Sequence, residues 1–208
     1  MTKLAVIRAA RKSDTNAVNS ICLRTGNAGK DATSLYQDPD LIGLIYAAPY
    51  LFGDDALCLV AEDEEGVLGY VAGATDSRSF EHHLEMNWWP ELRKRYAEPQ
   101  GDPAKWTPDD KRINFIHHPR PVPGDIVLAY PAHIHMNLLP QAQGRGIGSQ
   151  LLASWVASAT EKGVRAVHAG VSAANQAGLN FWTARGFDPV REDPHGGSLG
   201  TIWCGRIL

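Results

Sequence analysis

The chain has 208 residues, a formal net charge of −3, 44% hydrophobic residues and 21% charged residues. This length and composition are typical of one globular domain with a sizeable core. The slightly negative charge creates no basic field, which argues against a nucleic-acid partner. The apolar runs are shorter than the roughly 18 residues of a membrane span, and the N-terminal run is too short for a signal peptide. We therefore expect no membrane partner.

The three cysteines, Cys22, Cys58 and Cys204, are odd in number and widely separated. This pattern argues against a disulfide framework and favours the reducing environment of the cytoplasm. None has the spacing of a metal site, and each is expected to be a small core residue.

Hydrophobic periodicity in the first part of the chain predicts a strand, two helices and an antiparallel hairpin. Helix starts and stops follow from capping residues, glycine and proline. The predicted elements are a strand at 4–10, a helix from Ser13 or Asp14 to Arg24, a short helix from Asp40 to Ala48 closed by Pro49, and hairpin strands at 56–62 and 67–74.

The segment from about 77 to 124 is rich in aromatic residues and proline. We predict a helix at 80–97, a loop at 98–108, a short helix at 109–118 and an extended, non-helical run at 119–124. The last prediction follows because proline excludes the helical conformation for the residue before it.

The next strand, from Tyr130 to Leu139, carries an unusual polar face. Successive side chains of a strand alternate between its two faces, so His133, His135 and Asn137 share one face. A central strand covered on both sides is normally apolar throughout. These three side chains therefore require hydrogen-bond partners or water.

A glycine-rich turn follows at 140–146, and helical spacing of apolar residues begins at Ile147. Glycine permits close approach of a ligand, and a helix start presents unpaired N–H groups at the positive end of its dipole. Strand, turn and helix together predict an anion site for a phosphate or diphosphate. The turn lacks the Gly-Lys-Ser/Thr ending of a Walker loop, and its glycine spacing differs from a dinucleotide fingerprint.

The pattern Gln143-x-x-Gly146-x-Gly148 resembles motif A of the GNAT superfamily of acyl-CoA-dependent N-acyltransferases. The β-branched run at 164–171, Asn175, a short helix and Gly186-Phe187 resemble its motif B. The resemblance covers Tyr130 to Phe187 well and the first strand and helix more loosely.

This resemblance implies an α/β fold with a mixed, mainly antiparallel sheet of about seven strands, splayed between strands 4 and 5, with helices on both faces. Strands at 187–194 and 199–207 would complete the sheet, with Gly196-Gly197 in their turn. A single domain at 1–208 would then carry an insertion at about 77–124. This insertion either walls or lids the acceptor site, or it only covers apolar surface or makes a homodimer contact.

The resemblance also implies acetyl transfer from acetyl-CoA to a primary amine by direct attack, without a metal. The turn would bind the CoA diphosphate, and the Leu138 N–H would stabilise the developing oxyanion. The residues expected to bind acetyl-CoA are Leu138, Leu139, Gln143, Gly144, Arg145, Gly146, Ile147, Gly148, Ser149, Asn175 and Trp182.

His135 and His133 are the candidate bases for the acceptor ammonium, with His135 favoured because it lies nearer the splay. The alternative is a hydrogen-bonded core network that both histidines stabilise. A metal site is disfavoured because no third ligand is evident. His168, on the fifth strand, either joins this network or faces a helix, and Asp125 and Glu85 are alternative bases.

Trp182 departs from the family pattern, because many members place a tyrosine there as the general acid. An indole N–H is a donor but not a usable proton source, so Trp182 is expected to pack on the pantetheine arm or the acceptor. Asn175 is expected to bind the pantetheine arm or to cap the following helix. The departure motivates one alternative, a non-catalytic acyl-CoA-binding or sensing domain. A second alternative is a structural or interaction module that binds no CoA.

Short motifs in the first half, such as Asp38-Pro39-Asp40-Leu41 and Trp88-Trp89-Pro90, are similar to those of a narrower group. These are bacterial acetyltransferases related to the acetyltransferase-like domain of O-GlcNAcases. Four aromatic residues either line an acceptor pocket or belong to the core: Trp88, Trp89, Tyr46 and Tyr50. The acceptor itself stays open.

Overall fold

The computed structural model describes residues 5–53, 55–194 and 200–208, and within them it forms one seven-stranded sheet with the order β1-β2-β3-β4-β5-β7-β6. Only β4 and β5 are parallel neighbours, so the expected mixed, mainly antiparallel sheet is confirmed. The strands are β1 (Val6–Ala9), β2 (Ala56–Asp63), β3 (Gly66–Ala74), β4 (Ala132–Leu138), β5 (Ala166–Ser172), β6 (Asp188–Asp193) and β7 (Thr201–Ile207).

Helices cover both faces of this sheet, as expected. On one face α1 packs on β2 and β3 through Val18, Val60 and Tyr70. On the other face α7 packs through Leu151 and Trp155. The helices are α1 (Thr15–Thr25), α2 (Leu41–Tyr46), α3 (Ser77–His83), α4 (Trp89–Arg95), α5 (Pro108–His117), α6 (Gly124–Ala129), α7 (Ile147–Glu161) and α8 (Gln176–Thr183). None of the described helices has the length and apolar composition that crossing a membrane requires.

Two helix predictions differ from the structure at prolines. The second helix stops at Tyr46, and Pro49 lies inside a following 3-10 turn, Ala48–Leu51. The helix predicted at 80–97 instead begins at Ser77 and is interrupted by a π-helical turn, Leu84–Trp88. Pro90 lacks the N–H that a regular helix would bond to a carbonyl one turn earlier, so the hydrogen-bond pattern shifts here. The predicted turn at Gly196-Gly197 lies outside the described residues.

The sheet opens between β4 and β5. The two strands are paired only at Ala132 with Val167 and at His133 with His168. On its other edge β4 stays paired with β3 as far as Leu138. Beyond His133, the β5-facing edge of β4 therefore has no strand beside it among the described residues. This is the expected splay.

The 77–124 segment packs on α2 and on the loop before it. Its buried residues, including Phe80, Trp89 and Ile116, form a core cluster with Leu41 and Ile45 of α2. The Trp88 indole N–H donates to the Leu44 carbonyl at 2.8 Å. The Asp109 carboxylate accepts hydrogen bonds from the Gln37 and Asp38 amides at 3.1 and 3.0 Å. This segment therefore fixes the α1–α2 loop on the face of the sheet where the β4 histidines lie.

Candidate functional site

The chain between β4 and α7 turns by means of two left-handed glycines. Gly144 has φ 71° and Gly146 has φ 75°, values that glycine adopts without strain. A Cβ atom added at Gly144 would meet nothing within 4 Å, and one at Gly146 would meet only the end of the Gln150 side chain. The turn is therefore solvent-exposed and open on its outer side.

Several amides of this turn and of the first α7 residues have no main-chain hydrogen-bond partner among the described residues. The first regular bond is donated by Gln150 to the Gly146 carbonyl at 3.2 Å. Within the described ranges, five main-chain amides donate no hydrogen bond: those of Gly144, Gly146, Ile147, Gly148 and Ser149. These N–H groups lie at the positive end of a 15-residue helix, so they form a site suited to an anion.

The side chains of the same segment stabilise the turn. Gln143 Nε2 donates to the Leu138 carbonyl at 3.1 Å, and Arg145 Nη1 donates to the Gln141 carbonyl at 3.3 Å. Ile147 is buried in the core, and Gly148 allows the Phe181 ring to approach α7, with an added Cβ only 3.0 Å from that ring. The binding capacity of this segment thus lies in its main chain.

The two leucines at the end of β4 differ in what their main chains offer. The Leu139 N–H donates to the Leu68 carbonyl at 2.9 Å, and the Leu139 carbonyl accepts from Ala142 at 2.9 Å. Neighbouring residues of a strand direct their main-chain groups to opposite edges, so the Leu138 N–H faces the splay. Both main-chain groups of Leu139 thus have partners within the protein, and a role of Leu139 in binding the cofactor stays a prediction.

His133 is held in a fully satisfied network. Ser77 Oγ donates to the Pro131 carbonyl at 2.7 Å and lies 2.9 Å from His133 Nδ1, so this nitrogen must donate its proton to Ser77. His133 Nε2 then accepts from the Tyr50 hydroxyl at 2.8 Å. Burial lowers the pKa of His133 well below its usual value, which keeps the ring neutral. His133 therefore matches the core-network alternative.

His135 differs because one ring nitrogen has no partner among the described residues. Its Nε2 is buried without a hydrogen bond, and its ring lies 4.9 Å from the Tyr50 ring and 5.8 Å from the Tyr70 ring. Burial lowers the pKa of His135 to about 4, although a hydrogen bond to the Tyr46 main chain acts in the opposite direction. The third residue of this polar face, Asn137, donates to Thr25 Oγ1 at 2.6 Å.

His168 lies beside this network on β5. It is 1% exposed, its Nδ1 bonds the Tyr130 carbonyl at 2.7 Å, and its ring centroid is 6.0 Å from that of His133. Burial lowers its pKa to about 4. The two acidic alternatives lie in exposed ion pairs instead, Asp125 with Arg191 and Glu85 with Arg93.

The motif B residues have mainly structural contacts. Trp182 is 6% exposed and packs between Phe181 and Phe187, with ring centroids 5.4 and 4.7 Å away. Because the indole ring is buried among aromatic side chains, the structure does not support the prediction that it packs on the pantetheine arm. Asn175 Oδ1 accepts from the Gly178 amide at 2.8 Å, so it caps α8 as the alternative interpretation stated.

Two arginines near the site were not predicted from the sequence. Arg185 donates to Ser149 Oγ at 2.7 Å and lies over the Phe181 ring at 3.8 Å, beside the start of α7. Arg112 donates to the hydroxyls of Tyr36 and Tyr46. No local motif indicates these contacts, because Ser149 lies 36 positions from Arg185, and the two tyrosines lie 76 and 66 positions from Arg112.

In residues 5–53, 55–194 and 200–208, no three or more histidine, cysteine, aspartate or glutamate side chains are grouped so that they could hold a metal ion.

Three features of the described residues together define a class of acyltransferase. They are a sheet with a single pair of parallel strands, the splay between β4 and β5, and the glycine turn. A sequence profile of the acetyltransferase (GNAT) family matches residues 126–187, from α6 through β4, the turn and α7 to the end of motif B. The solved structure described as "Crystal structure of SsHAT" is 35% identical, covers 98% of both chains and has a TM-score of 0.85. The chain belongs to the GNAT acetyltransferase family.

More distant relatives agree with this assignment. Protein O-GlcNAcase of Rattus norvegicus is 24% identical over 185 residues, which are 89% of this chain and 20% of that protein. The chain thus spans about a fifth of the length of the curated relatives it matches, and the narrower resemblance to O-GlcNAcases is confirmed as a similarity. A GNAT superfamily phosphinothricin acetyltransferase from Sinorhizobium meliloti in complex with AcCoA is 19% identical, covers 98% of this chain and 88% of that chain, and has a TM-score of 0.57. This last likeness concerns the fold alone.

Proposed function

We propose that this protein transfers the acetyl group of acetyl-CoA to a primary amine by direct attack. The observation that carries the proposal is a set of five amides at the start of α7 that have no hydrogen-bond partner among the described residues, those of Gly144, Gly146, Ile147, Gly148 and Ser149. Such amides bind a diphosphate through hydrogen bonds and through the helix dipole. Because φ is positive at both glycines and the turn is open, a diphosphate can approach the main chain closely.

The β4 edge supports the second part of the proposal. An extended pantetheine arm entering the splay would lie along the unpaired edge between Ile134 and Leu138, as an added strand does. The Leu138 N–H would then donate to the thioester oxygen as negative charge develops there. Oxyanion donors of this kind contribute about 3–4 kcal/mol to transition-state stabilisation.

Direct attack is favoured over a covalent acetyl-enzyme by the state of the cysteines. Burial raises the pKa of the Cys22 thiol to about 11, that of Cys58 to about 12 and that of Cys204 to about 11. These thiols therefore stay protonated near neutral pH and are poor nucleophiles. In direct attack, the neutral amine nitrogen forms the C–N bond, the C–S bond breaks, the nitrogen loses one proton to solvent, and the CoA thiolate takes a proton from solvent.

His135 is the proposed base. Within the part of the chain that the structure describes, Nε2 of His135 has no hydrogen bond, whereas Ser77 and Tyr50 use both nitrogens of His133. A neutral ring with one partnerless nitrogen can accept the proton of the acceptor ammonium, directly or through water.

One observation favours the non-catalytic alternative. Trp182 lies in the core where many family members place an acidic tyrosine, so no proton donor for the thiolate is evident at that position. A protein that binds acetyl-CoA without turnover would retain the amides of the glycine turn and lack the groups that move protons during acetyl transfer.

Two measurements separate these functions. Acetyl-CoA at about 100 times its Kd should add about 2.7 kcal/mol of stability, which corresponds to a rise in Tm of roughly 5–10 °C. Incubation with a mixture of primary amines should then release CoA thiol. A Tm rise without thiol release supports the binding protein, and no Tm rise with millimolar acetyl-CoA contradicts both.

A further inference from the structure

The guanidinium of Arg112, on α5, is a partly buried cation whose partners are neutral. Its Nε donates to the Tyr36 hydroxyl at 3.1 Å, and its Nη1 donates to the Tyr46 hydroxyl at 2.9 Å. Across the described ranges, no carboxylate forms an ion pair with it. Buried charges in proteins are usually paired with an opposite charge. A buried cation without a carboxylate partner therefore indicates that an anionic ligand binds there.

The acidic residue one helical turn earlier does not supply that charge. The Asp109 carboxylate accepts hydrogen bonds from the amides of Gln37 and Asp38 and so holds the α1–α2 loop. The fixed loop carries Tyr36, which places this hydroxyl beside the guanidinium.

The two phenols add further donors. Each hydroxyl oxygen accepts a hydrogen bond from Arg112, which has no acceptor capacity of its own, so each phenol keeps its proton. In the described part of the chain, neither the Tyr36 hydroxyl nor the Tyr46 hydroxyl donates a hydrogen bond. Burial raises the pKa of Tyr46, so its hydroxyl stays protonated. The cluster therefore presents guanidinium and hydroxyl protons with a net positive charge, which is the chemistry of an anion site.

This cluster lies on the acceptor side of the sheet. The Tyr46 hydroxyl bonds Arg112, and Tyr46 packs in the same core cluster as Tyr70, whose ring lies 5.8 Å from the His135 ring. The diphosphate turn, in contrast, lies at the end of β4 and the start of α7. An anion at Arg112 would therefore belong to the acceptor rather than to acetyl-CoA.

We propose that Arg112, Tyr36 and Tyr46 bind a compact anionic group, a carboxylate or a phosphate, on the acceptor amine. This inference rests on the proposed function, since it assigns acceptor specificity to the same site. Arg112 determines specificity here, because it binds a part of the acceptor that does not react.

The test uses amines that differ only in this group. Thiol release from acetyl-CoA is measured with L-amino acids against their carboxamides, and with O-phosphoethanolamine against ethanolamine. We expect kcat/KM to favour the anionic member of one pair, and the pair concerned distinguishes carboxylate from phosphate. The Arg112→Gln variant should lower kcat/KM for the anionic member about 10- to 100-fold, mainly through KM, and leave the neutral member nearly unchanged.

Three further variants isolate the charge. Arg112→Lys should restore part of the preference. Lys111→Gln removes a neighbouring exposed cation of the same helix and should change nothing. Tyr36→Phe keeps the guanidinium and removes one hydroxyl, so it should weaken the preference severalfold even where Arg112→Gln does not fold.

Failure of this inference differs from failure of the proposed function. Equal turnover of both members, or an equal loss on both in Arg112→Gln, overturns the inference while acetyl transfer stands. If no amine releases thiol, calorimetry of N-acetyl-L-amino acids and their carboxamides with CoA-saturated protein replaces turnover. A carboxylate preference that Arg112→Gln abolishes then supports the inference, and absence of binding overturns it. A missing Tm shift with acetyl-CoA marks failure of the proposed function itself.

Discussion

His133 and His135 occupy the same face of one strand, yet their environments differ in what each imidazole can do. Tyr50 and Ser77 satisfy both nitrogens of His133, while Nε2 of His135 has no partner. Removal of a side chain from a satisfied network leaves buried donors or acceptors unpaired, whereas removal of a proposed base affects chemistry first.

The two histidines should therefore respond differently to truncation. His135→Ala is expected to lower turnover about 100-fold while the affinity for acetyl-CoA stays unchanged. His133→Ala is expected to lower the free energy of unfolding by about 1–3 kcal/mol, because Tyr50 and Ser77 lose their partner. Thiol release and urea unfolding measure the two effects. Full activity of His135→Ala would remove this residue from the mechanism.

Gly205 on β7 provides a test of packing beside the same network. A Cβ atom there would lie 2.3–2.6 Å from ring carbons of Tyr130, whose carbonyl bonds His168. Gly205→Ala should therefore destabilise the fold by about 1–3 kcal/mol through overpacking. Gly124→Ala is the matched control, since a Cβ at Gly124 meets nothing within 4 Å. Equal melting temperatures of the two variants would contradict this packing.

At the scale of elements, the 77–124 segment and the α1–α2 loop depend on each other. Asp109 at the start of α5 accepts from two loop amides, and Tyr96 donates to Asp38 at 2.6 Å. These contacts connect residues about 60 to 70 positions apart, so they fix the loop that carries Tyr36 against the 77–124 segment.

Asp109→Ala should release this loop. Loss of a charged acceptor shared by two amides is expected to reduce the free energy of unfolding by about 1.5–3 kcal/mol. Faster amide hydrogen exchange at Gln37 and Asp38 should accompany the change. Lys111→Ala, which alters an exposed residue of the same helix, is the control. Unchanged exchange at both amides in Asp109→Ala would show that the carboxylate does not fix the loop.

Local pattern was enough to predict the elements that form the cofactor side. Strand, glycine turn and helix at 130–161 follow from alternation, φ-permissive glycines and helical spacing, all within one stretch of chain. Partners distant in sequence were not predictable. Tyr50 and Ser77 lie 83 and 56 residues from His133, and Tyr36 lies 76 residues from Arg112. The π-helical turn before Pro90 and the pairing of Leu139 with Leu68 likewise depend on how whole elements pack.

At the scale of the whole molecule, neutral buried histidines couple stability to pH. Burial lowers the pKa of His135 and His168 to about 4, below the value of about 6.5 for an unfolded histidine. The unfolded state therefore binds more protons between pH 6.5 and 4. Stability is fully present above pH 6.5 and falls as the pH decreases through this range.

A denaturation series across this pH range checks the coupling. The free energy of unfolding should decrease between pH 6.5 and 4.5 by at most about 1.4 kcal/mol per pH unit for each histidine. His168→Gln removes one titrating ring and should reduce that slope. An identical slope in the variant would exclude His168 as a source of the pH dependence.

The central claim is that the amides at the start of α7 bind the diphosphate of acetyl-CoA, and calorimetric titration of Gly146→Asp tests it most directly. The aspartate places a side chain and a negative charge in the turn, at a left-handed position that glycine favours. We predict saturable binding of acetyl-CoA to the unaltered protein and at least a hundredfold weaker binding to the variant, with the variant still folded by circular dichroism. Equal affinity of the two proteins would contradict the account.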